Sequence, residues 1–394
     1  MKKFLVATAS VALLSSGAYA EEVKIGVILG FTGPLESITP NMGAGAELAM
    51  KEVSDSGKLL GGSTVASVRG DSTCVDAAAA QAAAERLVTT DKVNAIMGAD
   101  CSGVTGAILA NVAVPNGIVM ISPSATSPGL TTADDKGLFF RTAPSDARQG
   151  EIIAQVLKDR GIGSVAISYT NNDYGKGLSD AIKSSVEAAG GKVTIVAAHE
   201  DGKADYSAEV GALASAGGDA LIVAGYVDQG GSGIIQGALD SGAFSTFMLP
   251  DGMYGNVLET KFGKSLDGSF GTVPGTDSPG GATFQEMAKA AGFDGTSSYA
   301  GESYDAAALI MLAMQAANSS KSADLAGKVM DVANAPGEQI FPGELAKGLE
   351  LIAAGTDIDY VGATAVELIG PGEAAGSYRE YEFKDGKITT VGFR

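Results

Sequence analysis

His199 is the single histidine in a chain of 394 residues. A Ser-His-Asp arrangement would have to use it, and a metal site built from several histidines is excluded. It falls at the end of an expected strand beside Glu200 and Asp201, where a solvated surface position is expected. Gly43-Ala44-Gly45 is followed by Ala46, Glu47 and Leu48, so the third glycine of a dinucleotide fingerprint is missing, and no Walker sequence occurs. Carboxylates are abundant, but spacing alone nominates no pair for acid–base work. The chain therefore reads as a non-enzyme with no cofactor and no metal. What stands out instead is a set of polar loops: Gly98-Ala99-Asp100-Cys101-Ser102-Gly103, Ser122-Pro123-Ser124-Ala125-Thr126-Ser127-Pro128, Tyr169 to Gly175, Gly225-Tyr226 and Pro250-Asp251-Gly252. They offer hydroxyls, main-chain N–H groups, aromatic rings and a carboxylate, an inventory that suits a small zwitterion.

Each of these loops follows a short β-branched run that ends in a strand-to-helix turn. The expected strands are Val23 to Leu29, Ser63 to Val68, Val93 to Met97 and Gly117 to Ile121. Helices are expected near Asn41 to Ser56, over the alanine-rich Val75 to Val88, and from about Gly103. After Phe139-Phe140-Arg141-Thr142-Ala143-Pro144 the pattern restarts. Strands Val165 to Tyr169, Lys192 to Ala198, Ala220 to Ala224 and Thr246 to Leu249 alternate with helices Ala147 to Arg160, Tyr174 to Ala189, Ser207 to Ala216 and Ser232 to Ser241. Such alternation predicts parallel sheets with helices on both faces, and two similar halves predict two lobes. Gly268 to Gly281 reads as a linker, followed by helices near Thr283 to Ala291, Gly301 to Ala317 and from Ser322. Tyr381-Glu382-Phe383 and Ile388 to Val391 flank Asp385-Gly386 as a β-hairpin. In open α/β sheets ligands bind beyond the C-terminal strand ends, where helix N-termini present free N–H groups, and the polar loops lie there.

The first twenty residues read as a cleaved export signal. Lys2 and Lys3 form the positive region, Phe4 to Leu14 the apolar region, and Ala18-Tyr19-Ala20 the cleavage site before Glu21. The following residue is not cysteine, so no lipid anchor is indicated. No later stretch reaches the ~20 apolar residues that a membrane-spanning helix needs. Losing two lysines takes the formal charge from −19 to −21. That acidic balance disfavours nucleic acid and anionic membranes as partners. Cys74 and Cys101 are the only cysteines. In an oxidising compartment they read as a disulfide, with two buried free thiols as the alternative.

Taken in order, Thr32-Gly33-Pro34, Gly45-Ala46-Glu47, the Cys74/Cys101 pair, Cys101-Ser102, Ser122-Pro123-Ser124-Ala125-Thr126, Asp173-Tyr174-Gly175 and Pro250-Asp251-Gly252 resemble the periplasmic binding proteins for branched-chain amino acids, the Leu/Ile/Val-type receptors of ABC transporters. The resemblance runs from about Val23 to at least Ala313. It implies two Rossmann-like lobes joined by a hinge, the type I periplasmic binding fold. The signal would occupy 1–20, one lobe 21–143 plus about 276–358, and the other 144–275 plus about 359–394. It also implies that Ser102 and Gly103 hold a ligand carboxylate, that Ser124 and Thr126 supply a carbonyl and a hydroxyl, and that Asp251 pairs with an α-ammonium. Tyr174 and Tyr226 would cover the ligand on closure. Each has a plainer reading: Ser102 as a helix cap, Ser124 and Thr126 as turn residues, Asp251-Gly252 as a turn, the tyrosines as local packing. One departure is Ser37-Ile38-Thr39, where the family often has an aromatic. The expected partners are a small solute, an amino acid above all, and an ABC permease, the protein itself being a periplasmic monomer. A ligand-sensing receptor without a transport role, or capture of an amide or small organic acid, remain the alternatives.

Overall fold

A computed structural model describes residues 22–394, and the expected signal over residues 1–20 lies outside them. The chain forms two seven-stranded sheets of the same design. Strands β1 (Glu22–Leu29), β2 (Thr64–Asp71), β3 (Ala95–Gly98), β4 (Met120–Ser122) and β5 (Phe139–Pro144) come first. Then follow β6 (Ser164–Thr170), β7 (Lys192–His199), β8 (Ala220–Ala224), β9 (Phe247–Leu249) and β10 (Phe270–Pro274). The C-terminal part adds β11 (Glu338–Ile340), β12 (Ile358–Tyr360), β13 (Leu368–Ile369), β14 (Glu373–Ala374), β15 (Tyr378–Lys384) and β16 (Lys387–Phe393). The first sheet is ordered β13-β14-β5-β4-β3-β1-β2 and the second β16-β15-β10-β9-β8-β6-β7, with β11 and β12 a separate pair. Parallel pairing dominates both, and only β13 and the β15–β16 hairpin run antiparallel. The strands are apolar because helices cover both faces: Val23, Ile25, Val27, Ile28 and Leu29 are all fully buried.

In each lobe the strand order reverses beside its first strand, between β1 and β3 and between β6 and β8. Such a reversal opens a crevice at the C-terminal strand ends. The chain passes between the sheets three times: between Pro144 and the helix Asp146–Asp159, between Pro274 and the helix Pro279–Ala291, and between Ala374 and Tyr378.

Two of these crossings differ from the sequence expectation. The span 268–281 is not all linker, since Phe270–Pro274 is a buried strand. Its low-complexity look comes from Gly271, where a Cβ would lie 2.0 Å from the Leu249 carbonyl oxygen and 2.4 Å from the Tyr381 ring. The return expected near 359 comes later, because β13 and β14 still belong to the first sheet. Arg141, 1% exposed, explains it: its guanidinium donates to the carbonyls of Ala125 and Ser127, to Thr131 Oγ1, and to Glu373 Oε2 at 2.5 Å. A buried guanidinium needs a carboxylate, and β14 carries it in.

Helix Thr39–Ser56 packs on helix Ala300–Ala317. A Cβ on Gly45 would lie 2.3 Å from the Ala300 carbonyl oxygen, so this glycine serves helix packing and not a nucleotide. The start of helix Ala300–Ala317 is fixed by Asp305. Its carboxylate accepts from Tyr360 Oη (2.7 Å), from the main-chain N–H groups of Ala363 (2.8 Å) and Thr364 (2.9 Å), and from Thr364 Oγ1 (2.6 Å).

Cys74 and Cys101 form a disulfide between the loops that follow β2 and β3. Asp100 reinforces it, accepting from Gly30 N–H and Ser72 Oγ, both at 2.9 Å. The ends of β1, β2 and β3 are thereby tied together directly beneath Ser102. Replacing both cysteines by serine removes a crosslink between residues 27 apart. The expected loss is about 3–4 kcal/mol of unfolding free energy. Urea melts of the double variant against the parent measure it; equal midpoints and slopes would contradict the account.

Candidate functional site

The crevices of the two lobes face each other, and the polar loops named from the sequence meet there. Ser102 is the first residue of the short helix Ser102–Ile108, whose cap position is Cys101. Its hydroxyl does not cap that helix. It accepts from the Ser127 N–H at 3.0 Å, which leaves its own proton to donate outward. The N–H of Gly103 belongs to the unpaired first turn of this helix. Ser124 Oγ donates to the Asp100 carbonyl (3.0 Å), and Ser122 Oγ to the Ala99 carbonyl (2.5 Å). These bonds hold the loop after β4 against the loop after β3. Thr126 Oγ1 is buried and has no hydrogen-bond partner among the described residues.

From the second lobe come Tyr174, Tyr226 and Asp251. Asn172 caps helix Asp173–Ala188 by accepting from the Gly175 N–H. Glycine is required at 175, because a Cβ would stand 2.1 Å from the Thr170 carbonyl oxygen. That close turn delivers Tyr174 inward, stacked on Tyr226 with ring centroids 5.2 Å apart. Asn172 Nδ2 donates to Tyr226 Oη at 3.3 Å. Asp251, 2% exposed, begins the turn after β9. Its Oδ1 accepts from Tyr174 Oη at 3.1 Å, and its Oδ2 from Tyr299 Oη at 2.5 Å. Burial pushes the Asp251 carboxyl up, and the Tyr299 and Tyr174 hydroxyls pull it back down. Burial and the Asp251 charge hold both phenols well above their ordinary range, so they stay donors.

All seven residues nominated from the sequence thus gather in one region, and two more join them. Tyr299 comes from the first lobe and spans the cleft to Asp251. It precedes helix Ala300–Ala317 at φ 61°, a left-handed conformation uncommon for a large side chain. Asp146 opens helix Asp146–Asp159 immediately after the first crossing. It is 0% exposed, and both of its carboxylate oxygens lack a hydrogen-bond partner among the described residues. Burial, then the nearby Asp251 charge, push its carboxyl well above the ordinary range. An unpartnered buried polar atom costs about 1–3 kcal/mol, and more when charged. Neither residue carries a motif: Ser145-Asp146 reads as an ordinary helix start, and Tyr299 as a helix-flanking aromatic. Ile38, the departure from the family pattern, is buried at the start of helix Thr39–Ser56. Its neighbour Ser37 donates its N–H to Asp228 of the other lobe at 2.9 Å.

Two α/β lobes that turn their strand-order reversals and polar loops toward each other define a two-lobed solute-binding protein. The sequence pattern of the family described as periplasmic binding protein matches residues 22–341, and the chain belongs to that family. Among curated relatives, Leu/Ile/Val-binding protein homolog 3 of Brucella melitensis is 34% identical over 240 residues, 57% of this chain and 60% of the relative. Leu/Ile/Val-binding protein homolog 1 of Brucella suis is 31% identical over 327 residues, 82% of this chain and 85% of the relative. Solved structures of the same fold include a leucine-binding protein of Thermotoga maritima (TM-score 0.79, 23% identity, 94% of this chain and 98% of that one). A branched-chain amino-acid transporter substrate-binding protein of Streptococcus pneumoniae, in complex with isoleucine, has TM-score 0.78, 22% identity, and coverage of 95% and 99%. An ABC transporter solute-binding protein of R. palustris in complex with benzoate has TM-score 0.72, 20% identity, and coverage of 94% and 96%. Among the described residues, no helix is long and apolar enough to cross a membrane.

His199 lies outside this cluster and is not the solvated residue expected. It is 1% exposed at the end of β7, shares a 2.8 Å hydrogen bond through Nδ1 with Ser168 Oγ, and faces the edge of Tyr206. Burial lowers its pKa from 6.5 to about 4, against a smaller opposing pull from Glu209. The folded protein therefore binds fewer protons than the unfolded chain between these values. Neutral His199 contributes stability that is full above pH 6.5 and is lost as pH falls toward 4. Between pH 7.5 and 5 the loss from this group is about 2 kcal/mol. His199→Gln is expected to flatten the unfolding free energy over that range relative to the parent. Parallel curves for the two proteins would contradict the assignment.

Proposed function

We propose that this chain is the solute-capturing component of an ABC importer and that its ligand is an α-amino acid, branched-chain or similar. It would be released into the periplasm by cleavage between Ala20 and Glu21, act as a monomer, and hand its ligand to a membrane permease. The ligand carboxylate is received on the first lobe by the Ser102 hydroxyl and the N–H groups of Ser102 and Gly103. Ser124 and Thr126 flank it. Hinge rotation then brings Tyr174, Tyr226 and Asp251 over the ligand, and Asp251 faces its ammonium. The reading rests above all on Asp251, a buried carboxylate reached by tyrosines of both lobes. A site for a plain carboxylic acid has no use for a buried anion there, because like charges would be forced together out of water. That the two Brucella relatives are Leu/Ile/Val-binding protein homologues supports it.

Titration calorimetry against leucine, isoleucine, valine, urea and benzoate tests this. A branched-chain amino acid is expected to bind with Kd at or below about 10 µM, and Asp251→Ala to weaken it at least tenfold, about 1.4 kcal/mol. Binding of benzoate or urea with none of the amino acids would overturn the ligand class. Amino-acid binding untouched by Asp251→Ala would overturn the role of that residue.

A further inference from the structure

Asp146 differs from three other buried acids, Asp100, Asp305 and Asp251. Asp100 and Asp305 accept hydrogen bonds from named donors on both oxygens. Asp251 has a tyrosine hydroxyl on each. Asp146 has no well-formed hydrogen bond on either, although it is fully buried; the Thr126 hydroxyl lies close enough to pull its carboxyl down and has no other partner among the described residues. The two are fixed neighbours, since the Asp146 N–H donates to the Thr126 carbonyl at 2.9 Å across the first crossing between the lobes. The charge of Arg141 pulls the Asp146 carboxyl down somewhat, but Arg141 makes no hydrogen bond to it; its donors go to Ala125, Ser127, Thr131 and Glu373. The remaining charged or titratable groups around Asp146 are Asp251 and the phenols of Tyr174, Tyr299 and Tyr378, none of them a cation.

Resting on the amino-acid reading above, we propose that Asp146, with the Thr126 hydroxyl, is a principal acceptor of the ligand's ammonium group and sets the selection of amines over plain carboxylic acids. Asp251 already spends both oxygens on Tyr174 and Tyr299. An ammonium carries three N–H donors, and Asp146 and Thr126 supply free acceptors for them. Asp251 then contributes charge from the opposite side and positions the tyrosines. Because Asp146 directly follows the first crossing, a ligand held by it is anchored at the hinge, where rotation moves it least. Other members of the fold that take benzoate meet a ligand with no donor of this kind.

The test compares leucine with its des-amino analogue, 4-methylpentanoate, by calorimetry on the parent, Asp146→Asn and Asp146→Ala. Asp146→Asn keeps the shape and removes the charge. The parent is expected to prefer leucine by at least a hundredfold. Asp146→Asn is expected to weaken leucine at least tenfold, to leave 4-methylpentanoate unchanged or tighter, and so to shrink the preference at least tenfold. Ligand-free melts give a second readout. If the residue serves binding, removing an unpartnered buried carboxylate raises the melting temperature at pH 7.5, whereas loss of a purely structural residue lowers it. Leucine affinity in Asp146→Asn within threefold of the parent, or a melting temperature lowered in both variants, overturns the assignment of Asp146 alone. A parent that binds no amino acid overturns the amino-acid reading and this assignment with it.

Discussion

A carboxylate clasped by two tyrosine hydroxyls from opposite lobes is the constraint on which the interlobe region depends. Removing Asp251 from water would cost several kcal/mol if nothing compensated it. Tyr174 and Tyr299 supply the compensation, one from each side of the cleft. The local backbone is shaped to permit this. A Cβ at Gly252 would stand 2.6 Å from the Gly225 carbonyl and 2.7 Å from Tyr174 Oη, so only glycine lets the phenol reach the turn. Tyr174 Oη also accepts from the Gly252 N–H at 3.2 Å, which orients its proton toward Asp251. Tyr299 is held in its left-handed conformation by the helix it precedes, and that helix is pinned at its sixth residue, Asp305. Asp305 itself is pushed up to about 6 by burial despite four donors, a measure of how dry this part of the first lobe is.

Much of this was legible in the sequence because both lobes obey local rules. Strands read from Val23 to Leu29 and from Ala220 to Ala224 are β-branched and bounded by turns, and they appear at those positions. The hairpin around Asp385-Gly386 and the Cys74–Cys101 bridge follow equally local chemistry. The loops bearing Ser102, Ser124, Tyr174 and Asp251 were found because they sit where strands hand over to helices. The failures share a cause in long-range contacts. Strand β10 hid behind Gly271 and Pro274, and the lack of a side chain at 271 is demanded by Leu249 and Tyr381. Strand β14 is specified by the buried guanidinium of Arg141, distant in sequence. His199 reads as solvated from its acidic neighbours, of which Glu200 is exposed and Asp201 half-buried, yet its own side chain is buried. Asp146 and Tyr299 could not be singled out, since what marks them is the absence of a partner in one case and a contact across the cleft in the other.

Charge is distributed to leave the cleft anionic. Nine of the eighteen ion pairs among the described residues join side chains that are each more than a third exposed, and such pairs contribute little. Of the less exposed basic groups, Arg141 pairs with Glu373 and Arg160 and Arg394 with Glu380, while Arg379 stacks over the Tyr254 ring with its buried Nε unpaired among the described residues. Neither Asp146 nor Asp251 forms an ion pair among the described residues, and the charge of nearby Arg141 only partly offsets what burial does to Asp146. A ligand bringing its own positive charge is therefore the partner that this arrangement favours, and a helix start with free N–H groups at Ser102 and Gly103 leaves a place for a negative one.

The position of the three crossings turns that preference into a conformational one. Gly376 lies against Pro144, where a Cβ would be 2.4 Å from the proline ring, so the first and third crossings are packed side by side. Gln149, one turn into the helix that Asp146 opens, reaches Thr272 of the strand leading to the second crossing. Connections bundled this closely restrict relative motion of the lobes to rotation about one line and oppose sliding. Groups beside that line, Asp146 and Thr126, keep their spacing as the lobes part. Groups far from it, such as Asp228 with its bonds to the Ser37 N–H and, through its own N–H, to the Pro34 carbonyl, are separated most. A ligand bound near the line can stay in place while the distant contacts form around it, and its affinity for the closed form exceeds that for the open one by what those later contacts add.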